Sequence, residues 1–298
     1  MSANWIAVDW GTSSLRIWAM GPNGVEARAS SDRGMSTLTP DTFEDALLAL
    51  ADGWIDGPTT VVACGMVGAR QGWIEAAYRT VPCAPLDAPY TIAPTRDPRL
   101  TVHIVPGLSQ TTPPDVMRGE ETQIAGFLAL NPHFDGILCL PGTHTKWVHV
   151  SAGEVVSFRT VMTGETFAAL SGHTVLRHSL GGKAMDDTAF DDAVSGSLSR
   201  PDSFFRDLFA LRAADLLASQ PPSVARGKLS GGLIGLELAA TRPYWLGQAV
   251  ALIGDDALCA LYARALATQG VKPQRSDPDA VTLAGLARAY QALKEPHS

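Results

Sequence analysis

The chain is poor in cysteine, and it has neither an excess of basic charge nor a long uninterrupted hydrophobic run. Its four cysteines lie far apart among 298 residues, so the sequence predicts reduced thiols in a cytoplasmic protein and offers no zinc-ligand spacing. The formal net charge of −7 disfavours a nucleic-acid partner, which needs a basic face. The apolar runs are too short to cross a membrane, and the first residues begin a strand pattern, not a signal peptide.

What remains is the composition of a globular protein. Apolar residues make up 46% of the chain and charged residues 18%, as is usual for folded domains. Predicted strands and helices alternate in both halves, which indicates an α/β protein, and the length suggests two domains. Residues 107–114 have the pattern of a linker, so the sequence predicts domains 1–113 and 114–298. The oligomeric state stays open, with a homodimer among the options.

Near the start, residues 6–18 predict a strand, a tight turn and a second strand. Asp9 closes the first strand, and the tip consists of Gly11, Thr12, Ser13 and Ser14. Hydroxyls and free N–H groups at such a tip suit phosphate oxygens, and the carboxylate suits hydrated Mg²⁺. An ordinary hairpin with a polar turn is the alternative interpretation.

A second stretch, residues 137–150, repeats this layout between two apolar strands. Its tip consists of Gly142, Thr143, His144 and Thr145. Gly142 lies 131 residues after Gly11, which is about one domain's length. Two such hairpins predict a duplicated fold that holds phosphate between its halves.

These paired hairpins resemble the phosphate motifs of the actin-like ATPase superfamily, which includes sugar kinases, hexokinase and Hsp70. The resemblance implies a duplicated, ribonuclease H-like α/β fold of two domains with an ATP cleft between them. It also implies ATP and Mg²⁺ as the nucleotide and its metal. Here Asp9 would be the metal-side residue, and the two tips would hold the β- and γ-phosphates.

Several stretches together resemble one family within that superfamily, the 2-dehydro-3-deoxygalactonokinases. They are residues 7–16, 64–68, 118–123, 140–147 and 163–167. The form Pro-Gly-Thr-His-Thr-Lys of the second hairpin is the most distinctive of them. The resemblance extends over nearly the whole chain and implies ATP-dependent phosphorylation of 2-dehydro-3-deoxy-D-galactonate at its 6-hydroxyl in galactonate degradation.

Two acidic residues, Glu120 and Glu121, follow Gly119 at the start of a predicted helix. Acidic side chains also favour a first helical turn for dipole reasons alone. In kinases of the glycerol kinase and xylulokinase type, a catalytic Asp follows a Gly at this place, and Gly119-Glu120 resembles that pair with Glu instead of Asp. Glu120 is therefore the preferred general base, with Glu121 as the alternative.

The remaining candidates would contact the sugar acid or the nucleoside. Residues 63–68 resemble the loop that contacts the sugar in the same kinases, and arginines suit a carboxylate. The substrate candidates are Arg16, Gly34, Met35, Gly65, Met66, Arg70 and Trp73. A pair of glycines, Gly231 and Gly232, resembles the adenosine motif and is predicted to form a turn that opens a helix.

Three other functions stay open at this stage. A kinase for another sugar or sugar acid would have the same phosphate hairpins. A non-catalytic nucleotide-binding protein would use cleft closure for assembly or regulation, as actin and Hsp70 do. A phosphatase or exopolyphosphatase of the same superfamily would cleave phosphate without an acceptor sugar.

Overall fold

The computed structural model describes residues 3–295 and divides the chain into two compact units. Unit 1 comprises the chain up to Asp135, the segment Val150–Ser157 and the chain from Asp277. Unit 2 comprises Gly136–His149 and Phe158–Ser276. Within residues 3–295, no helix is long and apolar enough to span a bilayer.

Strands and helices alternate along the chain, as the sequence predicts. The strands are β1 (Trp5–Trp10), β2 (Leu15–Gly21), β3 (Gly24–Ser31), β4 (Thr59–Gly65), β5 (Arg79–Thr80), β6 (Thr91–Ile92), β7 (Leu100–Ile104), β8 (Leu108–Thr111), β9 (Pro114–Met117), β10 (Gly136–Leu140), β11 (Thr145–Ser151), β12 (Glu154–Val161), β13 (Val250–Ile253) and β14 (Gln274–Ser276). The helices are α1 (Phe43–Ala51), α2 (Glu120–Leu130), α3 (Thr163–His173), α4 (Asp187–Ser199), α5 (Phe204–Asp207), α6 (Ala210–Ala218), α7 (Pro222–Ala240), α8 (Arg242–Trp245), α9 (Asp256–Ala267) and α10 (Pro278–Ala292).

The two main sheets repeat one topology. The first has the order β3-β2-β1-β4-β7-β6 and the second has the order β12-β11-β10-β13-β14. In each, the first strand of the unit runs parallel to its fourth strand, as β1 does to β4 and β10 does to β13. When the strands of each sheet are numbered along the chain and the edge strand β6 is left aside, both sheets have the order 3-2-1-4-5. This shared order confirms the predicted duplication.

The segment predicted as a linker belongs instead to a hairpin. Strands β8 and β9 pair in antiparallel register with Leu108 opposite Met117, and both of these side chains are buried. The predicted boundary at 113/114 therefore falls inside unit 1. The division differs because α10 returns from the end of the chain to pack on α2, where a Cβ on Gly126 would lie 1.7 Å from the carbonyl oxygen of Val281.

The core of unit 1 is built around three aromatic rings. The rings of Trp10 and Phe43 lie 4.8 Å apart, and Trp73 meets Trp10 edge-on at 6.3 Å. Trp73 is 6% exposed and donates its indole N–H to the carbonyl oxygen of Pro94 at 3.1 Å. Trp73 was a candidate for contact with the substrate, but aromatic packing buries its ring in the core of unit 1.

The core of unit 2 depends on close packing of α4 against α7. A Cβ on Gly231 would lie 2.2 Å from the carbonyl oxygen of Phe190, and one on Gly232 would lie 2.8 Å from the ring of Phe204. Both glycines are buried within α7. The predicted turn at Gly231 and Gly232 is therefore wrong: these glycines lie inside a helix, where they let neighbouring groups approach closely.

Candidate active site

The first hairpin of unit 1 presents an exposed polar tip, as predicted. Thr12, Ser13 and Ser14 are exposed between β1 and β2, and the N–H of Gly11 donates to the carbonyl oxygen of Ser14 at 2.8 Å. That bond closes the turn and leaves the side chains of the tip facing solvent. The tip therefore keeps hydroxyl groups available for a phosphate.

Two residues predicted to contact substrate support this tip from behind. The N–H of Met35 donates to the carbonyl oxygen of Gly11 at 3.0 Å. A Cβ on Gly34 would lie 2.4 Å from the backbone of Ser13 and of Thr12. Gly34 and Met35 therefore pack against the hairpin and hold the backbone of its tip in place.

Asp9 stands opposite Arg16 in the register of β1 and β2. The guanidinium of Arg16 donates Nε–H to Asp9 Oδ2 at 3.2 Å, and it also forms ion pairs with Asp9 and Asp279. Cys64 Sγ–H donates to the other oxygen, Asp9 Oδ1, at 3.8 Å. Arg16 is thus held by two carboxylates of the protein, which leaves it unsuited to the predicted contact with a substrate carboxylate.

Gly119, the residue before the acidic pair, lies next to the carboxyl ends of β1 and β4. Gly65 has φ +90°, and a Cβ there would lie 2.6 Å from the carbonyl oxygen of Trp10. Gly119 has φ +104°, and a Cβ there would lie 3.3 Å from the Cα of Gly65. Only glycine fits both close approaches without strain. The strand end that carries Asp9 and the start of α2 therefore meet in unit 1.

The two other residues predicted near Gly65 lie in the loop that follows it. Met66 begins a short 3-10 turn and is partly exposed. The side chain of Arg70 is 80% exposed, and its Nε lies 3.6 Å from Glu75 Oε1. Solvent screens such a pair strongly, so Arg70 is a surface residue in this structure.

The acidic pair at the start of α2 has two different environments. Glu120 is partly exposed, and its Oε2 accepts the N–H of Arg118 at 3.0 Å. Glu121 is fully buried, and its Oε2 accepts the N–H of Gly119 at 2.7 Å. Burial, with a contribution from the charge of Glu120, raises the pKa of Glu121 to about 8. Of the two carboxylates, Glu120 is the one that is partly exposed to solvent in this structure.

In unit 2, the second hairpin leans on the start of α3. A Cβ on Gly164 would lie 2.3 Å from the carbonyl oxygen of Gly142. The N–H of Glu165 donates to the carbonyl oxygen of Thr143 at 2.9 Å, and its side chain pairs with His144 Nε2 at 2.7 Å. Gly142, Thr143 and His144 thus form the tip, with the imidazole held by a carboxylate.

Thr145 does not belong to this tip. It is the first residue of β11, it is fully buried, and its Oγ1 lies 2.9 Å from the hydroxyl of Tyr262. The predicted contact of Thr145 with phosphate is therefore wrong, because the hydroxyl faces the interior of unit 2. It contributes to the hairpin by anchoring its second strand.

Unit 2 contains a cavity of about 440 Å³ that begins at this hairpin. Its wall includes Gly142 and Gly164, and side chains from α7, from the start of α9 and from the loop before α4 complete it. The charged members are Lys183, Arg226 and Asp255, and the members with a hydroxyl group are Thr163, Ser230 and Tyr262. The size is within the range of small-ligand sites, and mostly apolar walls with a few polar groups suit a nucleoside.

A buried carboxylate ties the walls of this cavity together. Glu237 on α7 is 1% exposed and accepts hydrogen bonds from Trp147 Nε1 and the Tyr262 hydroxyl, each at 2.7 Å, and from the hydroxyl of Thr163. Burial raises its pKa. Because its partners lie on β11, α3 and α9, Glu237 joins the second hairpin to the helices around the cavity.

Sequence reasoning missed the polar residues of the cavity. Asp255 lies two residues after the end of β13 and caps α9 by accepting the N–H of Leu258 at 3.0 Å. The carboxyl end of a parallel strand is where α/β proteins place ligands, so this position was open to prediction. Arg226 and Ser230 are four residues apart on one face of α7, and only the packing of that helix turns them towards the cavity.

Comparisons with known proteins agree on one family. The sequence profile described as 2-keto-3-deoxy-galactonokinase matches residues 9–289. A Rhizobium meliloti (strain 1021) protein named "Probable 2-dehydro-3-deoxygalactonokinase DgoK1" is 40% identical over 297 residues, which cover 96% of each chain. The 2-dehydro-3-deoxygalactonokinase of Escherichia coli (strain K12) is 34% identical over 297 residues, covering 98% of this chain and 99% of that protein.

Solved structures show the same relation and the same fold. A Sinorhizobium meliloti protein described as "a putative 2-dehydro-3-deoxygalactonokinase protein" superposes with a TM-score of 0.89 at 39% identity, covering 97% of this chain and 99% of that chain. Component A of the Acidaminococcus fermentans (R)-2-hydroxyglutaryl-CoA dehydratase superposes with a TM-score of 0.53 at 11% identity, covering 99% and 100%. Together with the repeated strand order, these matches confirm the predicted actin-like, two-domain α/β fold.

Proposed function

The chain belongs to the 2-keto-3-deoxy-galactonokinase family, and we propose that it transfers the γ-phosphoryl group of ATP to the 6-hydroxyl of 2-dehydro-3-deoxy-D-galactonate. One observation carries this proposal. Two relatives that match over at least 96% of this chain, at 40% and 34% identity, both have names of this activity. The residues of the two units supply groups that such a transfer needs.

Unit 1 would supply the base and one phosphate site. Glu120 would accept the proton of the acceptor hydroxyl while that oxygen forms its bond to the γ-phosphorus and the bond to ADP breaks. Its partial exposure supports this role, whereas the complete burial of Glu121 supports a role in holding the Gly119 backbone. The tip formed by Thr12, Ser13 and Ser14 would donate hydrogen bonds to phosphate oxygens.

Unit 2 would supply the nucleoside site and a second phosphate site. The cavity of about 440 Å³ would take the adenosine, with Gly142 and Thr143 of the hairpin next to its phosphates. The guanidinium carbon of Arg226 lies 4.9 Å from the centre of the Phe167 ring, so the guanidinium would offer a flat cationic surface for the adenine ring. Asp255 would accept a hydrogen bond from a ribose hydroxyl.

A magnesium ion would bind with the nucleotide. Among residues 3–295, no group of three or more acidic, histidine or cysteine side chains could hold a metal ion by itself. Mg²⁺ is usually bound through one or two carboxylates, with phosphates and waters as the other ligands. Asp9 fits this pattern because Arg16 contacts Oδ2, whereas Oδ1 accepts a weak and long hydrogen bond from the Cys64 thiol, at 3.8 Å. When bound there, the ion would neutralise charge on the phosphates.

The proposal includes the setting of the enzyme. All four cysteines are free thiols, three of them buried, which supports a reducing compartment such as the cytoplasm. A homodimer is compatible with the proposal, since each chain contains both candidate sites. Size-exclusion chromatography with light scattering would decide between a monomer and a dimer.

An ATP-consumption assay with a panel of aldoses, aldonates and 2-dehydro-3-deoxy aldonates tests the proposed activity. We expect turnover with 2-dehydro-3-deoxygalactonate and a loss of about 10²- to 10⁴-fold in Glu120→Gln, with nucleotide binding retained. Glu120→Asp is the matched control, and it should keep more activity because it retains a carboxylate. Turnover on neutral sugars alone would contradict the substrate, and a fully active Glu120→Gln would contradict the base.

A further inference from the structure

One cationic side chain of unit 1 is buried with donors that remain unused. Arg118 is 8% exposed, and its Nη2 donates to the carbonyl oxygen of Ala76 at 2.8 Å. Among the described residues, Nε and Nη1 of Arg118 have no hydrogen-bond partner. Buried polar groups are nearly always paired, and an unpaired buried cation is costly. This guanidinium therefore has capacity for a ligand.

The guanidinium of Arg118 lies under an aromatic ring that is partly exposed to solvent. Its guanidinium carbon lies 4.3 Å from the centre of the Tyr78 ring, and Tyr78 is itself 40% exposed. Gly68 borders the guanidinium, because a Cβ there would lie 3.0 Å from Nη1. The cover over Arg118 thus includes one partly exposed ring, which a ligand would have to displace to reach the guanidinium.

The position of Arg118 links it to the proposed chemistry. Its backbone N–H donates to Glu120 Oε2 at 3.0 Å, and its positive charge also acts on Glu121. The loop with Gly68 on its other side follows Gly65, which meets Gly119. A molecule bound at Arg118 would therefore lie near the start of α2, where the proposed base is.

The other two arginines considered for this role are engaged elsewhere. Arg16 forms ion pairs with Asp9 and Asp279, and Arg70 is an exposed residue paired with Glu75. Neither combines burial with unused donors, as Arg118 does.

We propose that Arg118 binds the carboxylate of the sugar acid and so makes the enzyme select acids over neutral sugars. This inference rests on the proposed kinase function. Nη2 has two N–H groups and Ala76 takes one of them, so the second can act together with Nη1 or with Nε. Either pair forms the parallel two-point contact that guanidinium groups make with carboxylates.

The test compares 2-dehydro-3-deoxygalactonate with its neutral C1 amide as acceptors. For wild type, we expect kcat/KM for the acid to exceed that for the amide by about a hundredfold, the usual scale for a desolvated charge contact. In Arg118→Gln, kcat/KM for the acid should fall by about this factor, and kcat/KM for the amide should change little. Arg118→Lys, which keeps the charge but not the fork, should fall between the two.

Several results would overturn the assignment. One is an equal fall of kcat/KM on the acid and on the amide in Arg118→Gln. A second is that Arg70→Gln, and not Arg118→Gln, loses the preference for the acid. A third is a wild type that has the same kcat/KM on both acceptors. If Arg118→Gln fails to fold, as judged by nucleotide binding and circular dichroism, the wild-type ratio and Arg118→Lys decide the matter. A wild type without turnover on any sugar acid would instead contradict the proposed function.

Discussion

The buried Glu121 at the start of α2 should make the stability of the protein depend on pH. Burial, with the nearby charge of Glu120, raises its pKa from 4.5 to about 8. In the folded protein the Glu121 carboxyl group therefore stays protonated up to about pH 8, whereas in the unfolded chain it loses its proton above pH 4.5. The stability that this group contributes is fully present below its unfolded pKa and is lost as the pH rises through the folded pKa.

The size of the effect follows from the two pKa values. Each pH unit between 4.5 and about 8 reduces the free energy of unfolding by about 1.4 kcal/mol. Over the whole interval Glu121 therefore lowers stability by about 4–5 kcal/mol. Glu121→Gln removes this titration and keeps an oxygen that accepts the N–H of Gly119. We expect this variant to gain stability over wild type as the pH is raised from 5 to 8.

Urea unfolding followed by tryptophan fluorescence at pH 5, 6, 7 and 8 measures this difference, because all other titrating groups are common to both proteins. Glu120→Gln is the matched control. Removing the neighbouring charge should lower the folded-state pKa of Glu121, so the loss of stability should end at a lower pH and be smaller in total than in wild type. Parallel pH profiles of wild type and Glu121→Gln would refute the reasoning, since they would mean that Glu121 titrates normally.

Two further predictions concern unit 2. Tyr262→Phe removes the hydroxyl that donates to the buried Glu237, and we expect a loss of about 1.5–3 kcal/mol in the free energy of unfolding, together with weaker nucleotide binding by calorimetry. An unchanged free energy would show that the contact contributes nothing. Gly231→Ala places a Cβ 2.2 Å from the Phe190 carbonyl oxygen and should lower the melting temperature, whereas the control Gly172→Ala, with nothing within 4 Å, should raise it by removing the helix cost of glycine. Equal shifts in both variants would contradict the close packing of α4 on α7.

Local patterns in the sequence predicted the two hairpins correctly. The tips at Gly11 and Gly142 lie between apolar strands, and turn chemistry acts over a few residues only. The start of α2 at Glu120 was equally predictable, because a glycine followed by acidic residues marks a helix N-terminus.

The errors came from glycines and prolines whose role depends on distant residues. Gly231 looks like a turn residue, and only its contact with α4 shows that it allows two helices to approach. Residues 107–114 look like a linker because they carry prolines, yet Leu108 pairs with Met117 in a hairpin. Neither contact is visible in a short window of sequence.

By itself, the sequence determined the alternation of strands and helices, the duplicated hairpins and the acidic pair, since these depend on periodicity and on neighbours along the chain. The tertiary structure decided which side chains face a ligand. It joined Arg16 to Asp279, 263 residues away, it buried Trp73 among other rings, and it left donors of Arg118 unpaired. Burial and pairing depend on packing between distant segments, and they determine whether a polar side chain is satisfied within the fold or available for a ligand.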